Sequence, residues 1–279
     1  MNVGLEPPSG LAVELCKALD SVTVARPAAV RVLTVIDNPN TTAQKVAQAI
    51  ELDPTFAAQV MRLANSAYYG MSGKIGNTGF AVTVIGFAAV RSLAALNATA
   101  LDDPKRAVPD GFWAHAAAAA AGASVIAPRF GLVAADCFAA GLLHDIGSTF
   151  LHSFDVAGHR ELIALHGADG ADLSSAEAER FGMGHNAAAA HVLSSWKFPQ
   201  PFVEAVAWHH HPTPGGQPLA AAVRAGDLLA ILTGSAPGED VSQIRSDLVV
   251  AGIALEDHEE LIVLTAERAH EILSSLPVS

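Results

Sequence analysis

Apolar residues recur at the three- and four-residue spacing of a helix along most of this chain. In the stretch 54–64 this spacing places Phe56, Val60, Leu63 and Ala64 on one face. Nearly every other segment repeats the pattern, so the sequence predicts an all-α fold. The predicted helices cover residues 28–36, 41–50, 54–64, 80–100, 111–127, 133–143, 174–181, 185–196, 201–210, 218–233 and 255–276.

Local signals mark where several of these helices begin and where loops separate them. Residues 41–44, Thr-Thr-Ala-Gln, have the form of a capping box. Asp53 is a predicted N-cap, and Pro54 suits the first helical position after it. The stretches 70–79 and 234–240 are predicted loops, because each contains the glycines and polar residues that interrupt helices.

The apolar run 80–100 and the charged segment 101–110 indicate how the chain divides into lobes. The run 80–100 is a predicted helix, although its β-branched residues keep a strand alternative open. Residues 101–110 carry charges and two prolines, and we predict that they connect two packed helical lobes. The expected lobes are an N-terminal one over 1–106 and a C-terminal helical bundle over 107–279.

Composition narrows the class of protein. The 279-residue chain is 51% hydrophobic, which excludes an intrinsically disordered protein and suffices for a sizeable core. Lys and Arg total 16 against 28 Asp and Glu, a formal net charge of −12. This balance disfavours a general nucleic-acid binder, because contacts with phosphate rely on cationic side chains. Alanine makes up about a fifth of the residues and favours helix.

The sequence also predicts the cellular compartment of the protein. Its first residues show no basic segment followed by an apolar stretch, so no signal peptide is expected. The most apolar stretch, 114–127, is mostly alanine and is a poor transmembrane candidate. Cys16 and Cys137 are too few for a disulfide framework and suit buried small apolar side chains. We therefore expect a cytoplasmic protein with no membrane partner.

Histidine is abundant, with 12 residues, and one His-Asp pair is especially informative. His144 and Asp145 follow the apolar segment 138–143 and precede Ile146 and Gly147. An imidazole and a carboxylate side by side at a helix end can both reach one metal ion, and the glycine allows the chain to turn away. The pair therefore marks a candidate metal site.

Further candidate ligands lie on other predicted helices. His115 lies within the alanine-rich helix, His185 begins a helix, and His209 and His210 end one. Asp227 has small and apolar neighbours, and a charged side chain in such surroundings needs a partner or a metal. Taken singly, each has a structural alternative as a core histidine, a helix cap, an exposed residue or an ion-pair partner. Their convergence is a hypothesis about the fold.

The order of these residues resembles the H…HD…H…HH…D pattern of the HD superfamily of metal-dependent phosphohydrolases. The chain is most similar to the HDOD branch, the HD-related output domains of bacterial signalling, over residues 20–233. This resemblance rests on four runs of residues. They are Asp53-Pro54, Arg62-Leu63-Ala64-Asn65-Ser66-Ala67-Tyr68-Tyr69-Gly70, Ala140-Gly141-Leu142-Leu143-His144-Asp145-Ile146-Gly147 and Trp196-Lys197-Phe198-Pro199.

The resemblance implies an all-α fold, an HD-type bundle in the C-terminal lobe, and a site for one or two divalent metal ions. It assigns one ion to His115, His144, Asp145 and Asp227, and a second to His185, His209 and His210. Asp145 would bridge the ions, and a metal-bound water would be the nucleophile. Imidazole and carboxylate ligands suit Fe, Mn, Zn, Ni or Co. Many family members have lost part of this set, whereas all seven positions are present here.

Two departures from a related enzyme branch leave two functions open. Active HD-GYP phosphodiesterases carry a lysine where this chain has Ser148, and residues 213–216, Thr-Pro-Gly-Gly, replace their GYP signature. The first hypothesis is a signalling phosphohydrolase acting on a phosphorylated nucleotide or phosphodiester. The alternative is a non-catalytic signalling module that binds a partner protein and keeps a structural or ligand-sensing metal site.

Several other side chains carry weaker functional alternatives. Tyr68 and Tyr69 fit either packing between lobes or a partner surface. His211 is a candidate for contacting the site or its substrate. The remaining histidines are predicted to be surface or packing residues. The cations considered for contact with an anion are Arg91, Arg129, Arg160 and Lys197.

Overall fold

The computed structural model describes residues 10–20, 27–99, 108–167, 170–212, 217–235 and 240–276. The described part of the chain is helical throughout and contains no β-strand, which confirms the predicted all-α fold. Its helices fall into an N-terminal and a C-terminal set on either side of residues 100–107.

The N-terminal set contains five α-helices. They are α1 (Gly10–Asp20), α2 (Pro27–Ile36), α3 (Ala43–Ile50), α4 (Pro54–Ala64) and α5 (Thr78–Ala98). The C-terminal set continues with α6 (Phe112–Ile126), α7 (Ala134–Leu143), α8 (Ile146–Phe154), α9 (Val156–His166), α10 (Ala171–Phe181), α11 (His185–Ser195), α12 (Gln200–Trp208), α13 (Pro218–Leu232), α14 (Val241–Val250) and α15 (His258–Leu273). Short 3-10 turns lie at Ala67–Tyr69, Ala127–Phe130 and Leu255–Asp257.

The predicted N-terminal ends of α3 and α4 lie close to where the sequence places them. Asp53 caps α4 by accepting the backbone N–H groups of Thr55 and Phe56, and Pro54 begins the helix. At α3 the cap is Thr42, whose hydroxyl accepts from the backbone N–H of Lys45. The predicted helix start is therefore confirmed, with a simple side-chain cap in place of a capping box.

Four helices were not predicted from the sequence: α1, α8, α9 and α14. Helix α8 follows α7 after only two residues, and neither glycine nor proline marks the junction. Helices α9 and α14 expose much of their surface and bury few apolar residues. Periodicity is a weak signal in such short, mostly solvated helices.

Helix α5 is long and apolar enough to cross a membrane by length and composition, but 61% of its most apolar window is buried inside the fold. The strand alternative for this run is wrong, since both parts of the run are helical. Gly86 interrupts the helix with a φ of 82°. A residue with a Cβ rarely adopts this conformation, so glycine permits the kink.

The N-terminal set packs around α5, and the C-terminal set packs around α6. In the N-terminal set, α2, α3 and α4 pack against α5, which in turn contacts α7. In the C-terminal set, α6 contacts α7, α13 and α15, while α11 lies against α8 and α12. Helix α1 packs on α8, α10 and α11. The division at residue 106 stays a prediction, because residues 100–107 lie outside the described parts of the chain.

The run after α4 joins the two sets. The side chain of Asn65 donates to the carbonyl oxygen of Ile75 at 2.9 Å and accepts its N–H at 3.0 Å, which closes the intervening loop. The ring of Tyr68 lies 5.6 Å from that of Phe138 on α7. Tyr68 thus contributes to packing between the sets. Of the two free cysteines, Cys137 is buried and Cys16 is half-buried.

Glycines allow α6 and α13 to approach backbone to backbone. A Cβ placed on Gly122 of α6 would lie 2.6 Å from the carbonyl oxygen of Gly226 on α13. A Cβ on Gly226 would overlap the backbone of Ala123. Because His115 lies on α6 and Asp227 on α13, this approach sets the separation of two predicted ligands.

We expect Gly226→Ala to lower the free energy of unfolding by about 1–3 kcal/mol, the usual cost of overpacking. The added methyl group meets rigid backbone, so the two helices must separate. Urea denaturation of the two proteins measures the difference. Gly79→Ala is a matched control, since its Cβ meets side chains, the nearest being the flexible end of Gln44. The control should be neutral or stabilising, and an equal loss in both variants would contradict the packing argument.

Candidate metal centre

The His-Asp pair lies at the junction of two helices. Helix α7 ends at Leu143 and α8 begins at Ile146, so His144 and Asp145 occupy the bend between them. Both side chains are buried. Gly147 is not the turn residue that the sequence predicted, because it lies within α8. A Cβ there would overlap the carbonyl oxygen of His185, so this glycine brings α8 against α11.

The first ligand group, defined as His115, His144 and Asp227, joins α6, the α7–α8 junction and α13. The Nε2 atoms of the two imidazoles are 3.3 Å apart. Oδ1 of Asp227 lies 3.2 Å from Nε2 of His115 and 3.8 Å from that of His144. Three donor atoms from distant parts of the sequence therefore face one point.

The second ligand group, defined as His185, His209 and His210 with Asp145, joins the start of α11 to the end of α12. Nε2 of His185 lies 2.7 Å from Nε2 of His210. Oδ1 of Asp145 is 3.5 Å from Nε2 of both His185 and His209. All four side chains are buried.

Asp145 contacts both groups through different oxygens. Its Oδ1 faces His185 and His209, whereas its Oδ2 lies 3.3 Å from Nε2 of His144 and 3.6 Å from that of His115. A carboxylate in this position is able to bridge two ions. The structure thus brings together all seven residues singled out in the sequence.

The outer nitrogens of several imidazoles are held by other groups. Nδ1 of His144 and Nδ1 of His209 each lie 2.7 Å from a backbone carbonyl oxygen, at Gly141 and Val206. A carbonyl only accepts, so both rings carry their proton on Nδ1 and turn the Nε2 lone pair inward. Nδ1 of His115 lies 3.2 Å from the hydroxyl of Ser235.

The buried carboxylates are ionised despite their burial. Burial opposes ionisation of Asp145, but His144 and His185 hold its pKa well below the ordinary value. Burial likewise opposes ionisation of Asp227, but the adjacent His115 imidazole and the Arg224 guanidinium outweigh burial and hold the pKa of Asp227 well below normal. Both side chains therefore present negative oxygens to the centre.

The paired histidines are neutral for a related reason. Burial lowers the pKa of His209 and holds that of His210 well below the ordinary value, because the charged form loses its hydration. A neutral imidazole keeps the lone pair that a metal requires. At neutral pH these ligands are thus already in their metal-binding protonation state.

Within the described part of the chain, the buried polar atoms that lack a hydrogen-bond partner include three inward-facing ligand atoms of the centre: Oδ1 of Asp145, Nε2 of His209 and Oδ1 of Asp227. Such atoms are costly inside a protein unless something satisfies them. All three face the interior of the centre, and the donors around them are imidazoles and carboxylates. This arrangement fits one or two divalent transition-metal ions.

A small cavity of about 30 Å³ borders the centre. It is lined by residues 109–112 together with His115, Asp145, Ser148 and Ser235. A volume of this size holds a water molecule or two. Neither lysine nor arginine is among its lining residues, so Ser148 leaves the cavity without the cation that the related phosphodiesterases carry.

Sequence reasoning missed one buried acid near the centre. Glu177 on α10 pairs with His185 and His159. The sequence held a signal for it, because Glu177 shares one helical stripe with the buried Leu173 and Phe181. An acid in an apolar stripe predicts a buried partner.

Other sequence candidates form ion pairs of their own or are exposed. Arg91 pairs with Asp37, and Arg129 pairs with Asp257 at 2.9 Å. His211 is exposed. Residues 213–216, which replace the GYP signature, lie outside the described residues.

The fold and site define a helical protein with a histidine- and aspartate-lined centre of the kind that holds divalent metals. The family model of the HDOD domain matches residues 24–212, more than half of the chain. The chain belongs to the HDOD family. A comparison with curated proteins finds no match.

Solved structures give the same fold. A candidate phosphohydrolase from Shewanella amazonensis SB2B is 26% identical, with a TM-score of 0.74 over 96% of this chain and 98% of that one. A candidate signal transduction protein from Marinobacter aquaeolei VT8 is 24% identical, with a TM-score of 0.67 over 98% of this chain and 66% of that one. An HDOD protein of unknown function from Geobacter sulfurreducens is 21% identical, with a TM-score of 0.67 over 95% of each chain.

Deleting one ligand from the first group should leave one metal ion per chain. His115→Ala removes an imidazole that faces Asp227, while the second group stays intact. Asp145→Ala removes the carboxylate that faces both groups and should lower occupancy of both. Elemental analysis after anaerobic metal loading and desalting measures the number of ions. His166→Ala, an exposed histidine on α9, is the control and should match wild type. Equal loss in the His115 and Asp145 variants would contradict two separate groups.

Proposed function

We propose that this HDOD protein is a signalling phosphohydrolase that binds two divalent transition-metal ions and cleaves a phosphoester of a phosphorylated nucleotide. The observation that carries the proposal is the position of Asp145. Its two carboxylate oxygens face separate groups of buried ligands, which is the arrangement that a dinuclear centre needs. The order of all seven ligands also matches the pattern of the HD superfamily.

Two adjacent metal ions, when bound, supply Lewis acidity and lower the pKa of bound water. The protein supplies ligands in the correct protonation state and a site that excludes water. Asp145 and Asp227 are ionised, and His209 and His210 are neutral, so these four ligands need no change of protonation to bind a metal ion. Burial of the ligands excludes bulk water and strengthens every charge interaction inside the site.

A regulatory role and a cytoplasmic location complete the proposal. The regulatory role is supported by membership of the HDOD family. The location is supported by two free cysteines, one of them fully buried, which suits a reducing compartment.

Turnover of a phosphodiester and nucleotide panel by anaerobically loaded protein tests this function. Fe, Mn, Co, Ni and Zn should be loaded separately, and we expect hydrolysis that a chelator removes. Asp145→Ala should reduce hydrolysis to the level of metal-free protein, because it removes the oxygens shared by both groups. His166→Ala should retain full activity. Turnover that survives in Asp145→Ala would overturn the assignment of the reaction to this centre.

A second candidate function is a non-catalytic module whose metal centre is structural or senses a ligand. The specific observation favouring it is the cavity of about 30 Å³, which is too small for a nucleotide and has Ser148 in place of a cation. A protein that gains thermal stability on metal loading, yet hydrolyses nothing in the panel, would establish this alternative over the enzyme.

A further inference from the structure

A buried carboxylate stands behind one half of the centre. Glu177 is completely buried on α10 and lies on the outer side of His185. Its Oε2 accepts the backbone N–H of His185 at 2.7 Å and lies 2.7 Å from Nδ1 of the same residue. Its Oε1 lies 2.8 Å from Nε2 of His159. Glu177 thus holds both the backbone and the ring of one predicted ligand.

These contacts fix the state of the His185 ring. Oε2 of Glu177 already accepts the backbone N–H of His185, and Oε1 faces the ring nitrogen of His159, so both oxygens lie in accepting positions. An ionised carboxylate only accepts hydrogen bonds, so Nδ1 of His185 carries the proton. Nε2 then presents its lone pair toward Asp145 and His210.

The negative charge of its partner, Glu177, distinguishes His185 from the ligands whose rings are held by backbone carbonyls. Nδ1 of His144 and of His209 meet neutral acceptors at Gly141 and Val206. A carboxylate acceptor makes an imidazole a stronger metal ligand than a carbonyl does, since negative charge increases the basicity of the ring. This effect acts on the second ligand group only.

Two further histidines hold Glu177 in place. Nε2 of His159 donates to the carboxylate, which leaves Nδ1 of His159 as an acceptor. Nδ1 of His152 lies 3.2 Å from that atom and serves as the donor. Both histidines are buried, so the chain from His152 to His185 is ordered by directed hydrogen bonds away from bulk solvent.

We propose that Glu177 is a positioning residue that orients His185 and raises the metal affinity of the second ligand group without affecting the first. The inference rests on the proposed metal centre and is independent of hydrolysis. It assigns a function to an acid that otherwise carries a large desolvation cost in an apolar stripe.

The test is a titration with Co²⁺, followed by the visible absorption of the bound ion and by equilibrium dialysis. Each ligand group is measured alone in a double variant. His209→Ala with His210→Ala isolates the first group, and His115→Ala with Asp227→Asn isolates the second. Glu177→Gln keeps the shape and one accepting oxygen but removes the charge. We expect it to weaken binding to the second group by about 10–100-fold, the usual effect of an outer-sphere ligand partner. The absorption of Co²⁺ bound there should change as well.

The first group, isolated in its own background, should bind Co²⁺ equally well with and without the Glu177→Gln substitution. Glu179→Gln is the matched control, because Glu179 is exposed on the same helix two residues away. Unchanged affinity of the second group in Glu177→Gln would overturn the proposal. Equal weakening of both groups, with a lower melting temperature of the metal-free protein, would also overturn it by revealing a purely structural role.

A second variant keeps the test decisive if Glu177→Gln does not fold. His159→Leu removes the donor to Oε1 while the carboxylate stays, so it should weaken metal binding by the second group less than loss of the charge does. No weakening would overturn the proposal. Wild-type protein that binds no Co²⁺ would contradict the metal centre itself, whereas normal binding without hydrolysis would contradict only the proposed reaction.

Discussion

The structure depends on the burial of one shared carboxylate. Asp145 is ionised in the middle of a helical bundle, where an isolated charge would cost several kcal/mol. It is tolerable only if partners surround it, and the helices of the C-terminal set supply imidazoles on both sides. A cation between Asp145 and each ligand group would complete the compensation. The fold of the C-terminal set brings enough imidazoles to Asp145 to compensate its buried charge.

Bringing those partners together requires helices that approach closely. Helix α6 is built largely from alanine, and all of its alanines except Ala114 are almost completely buried in a helix that contacts α7, α13 and α15. Glycines at the tightest points replace side chains altogether, as Gly141 does where α7 meets the backbone of α6. The alanine content that favours helix in the sequence therefore also determines how near the ligands can lie.

The sequence predicted much of this centre because its ligands follow a fixed order. His144 and Asp145 were found from their adjacency at a helix end, and the other five ligands from the family pattern. Glu177 was missed because its role depends on the contact between α10 and α11, although its place in an apolar stripe was visible. Local patterns show which residues are unusual, whereas tertiary packing decides what they contact. The same distinction applies to Gly147, where local reasoning suggested a turn and could not show that the missing side chain accommodates another helix.

The contact between Gly122 and Gly226 has a consequence for how the centre responds to heat. Side-chain contacts loosen as rotamers begin to exchange, but these two helices meet through backbone atoms, which have no rotamers. The closest approach of α6 and α13 is therefore set by contact between two helix backbones. Exchange of rotamers among neighbouring side chains does not change the atoms that make this contact, and the ligands on the two helices share that reference.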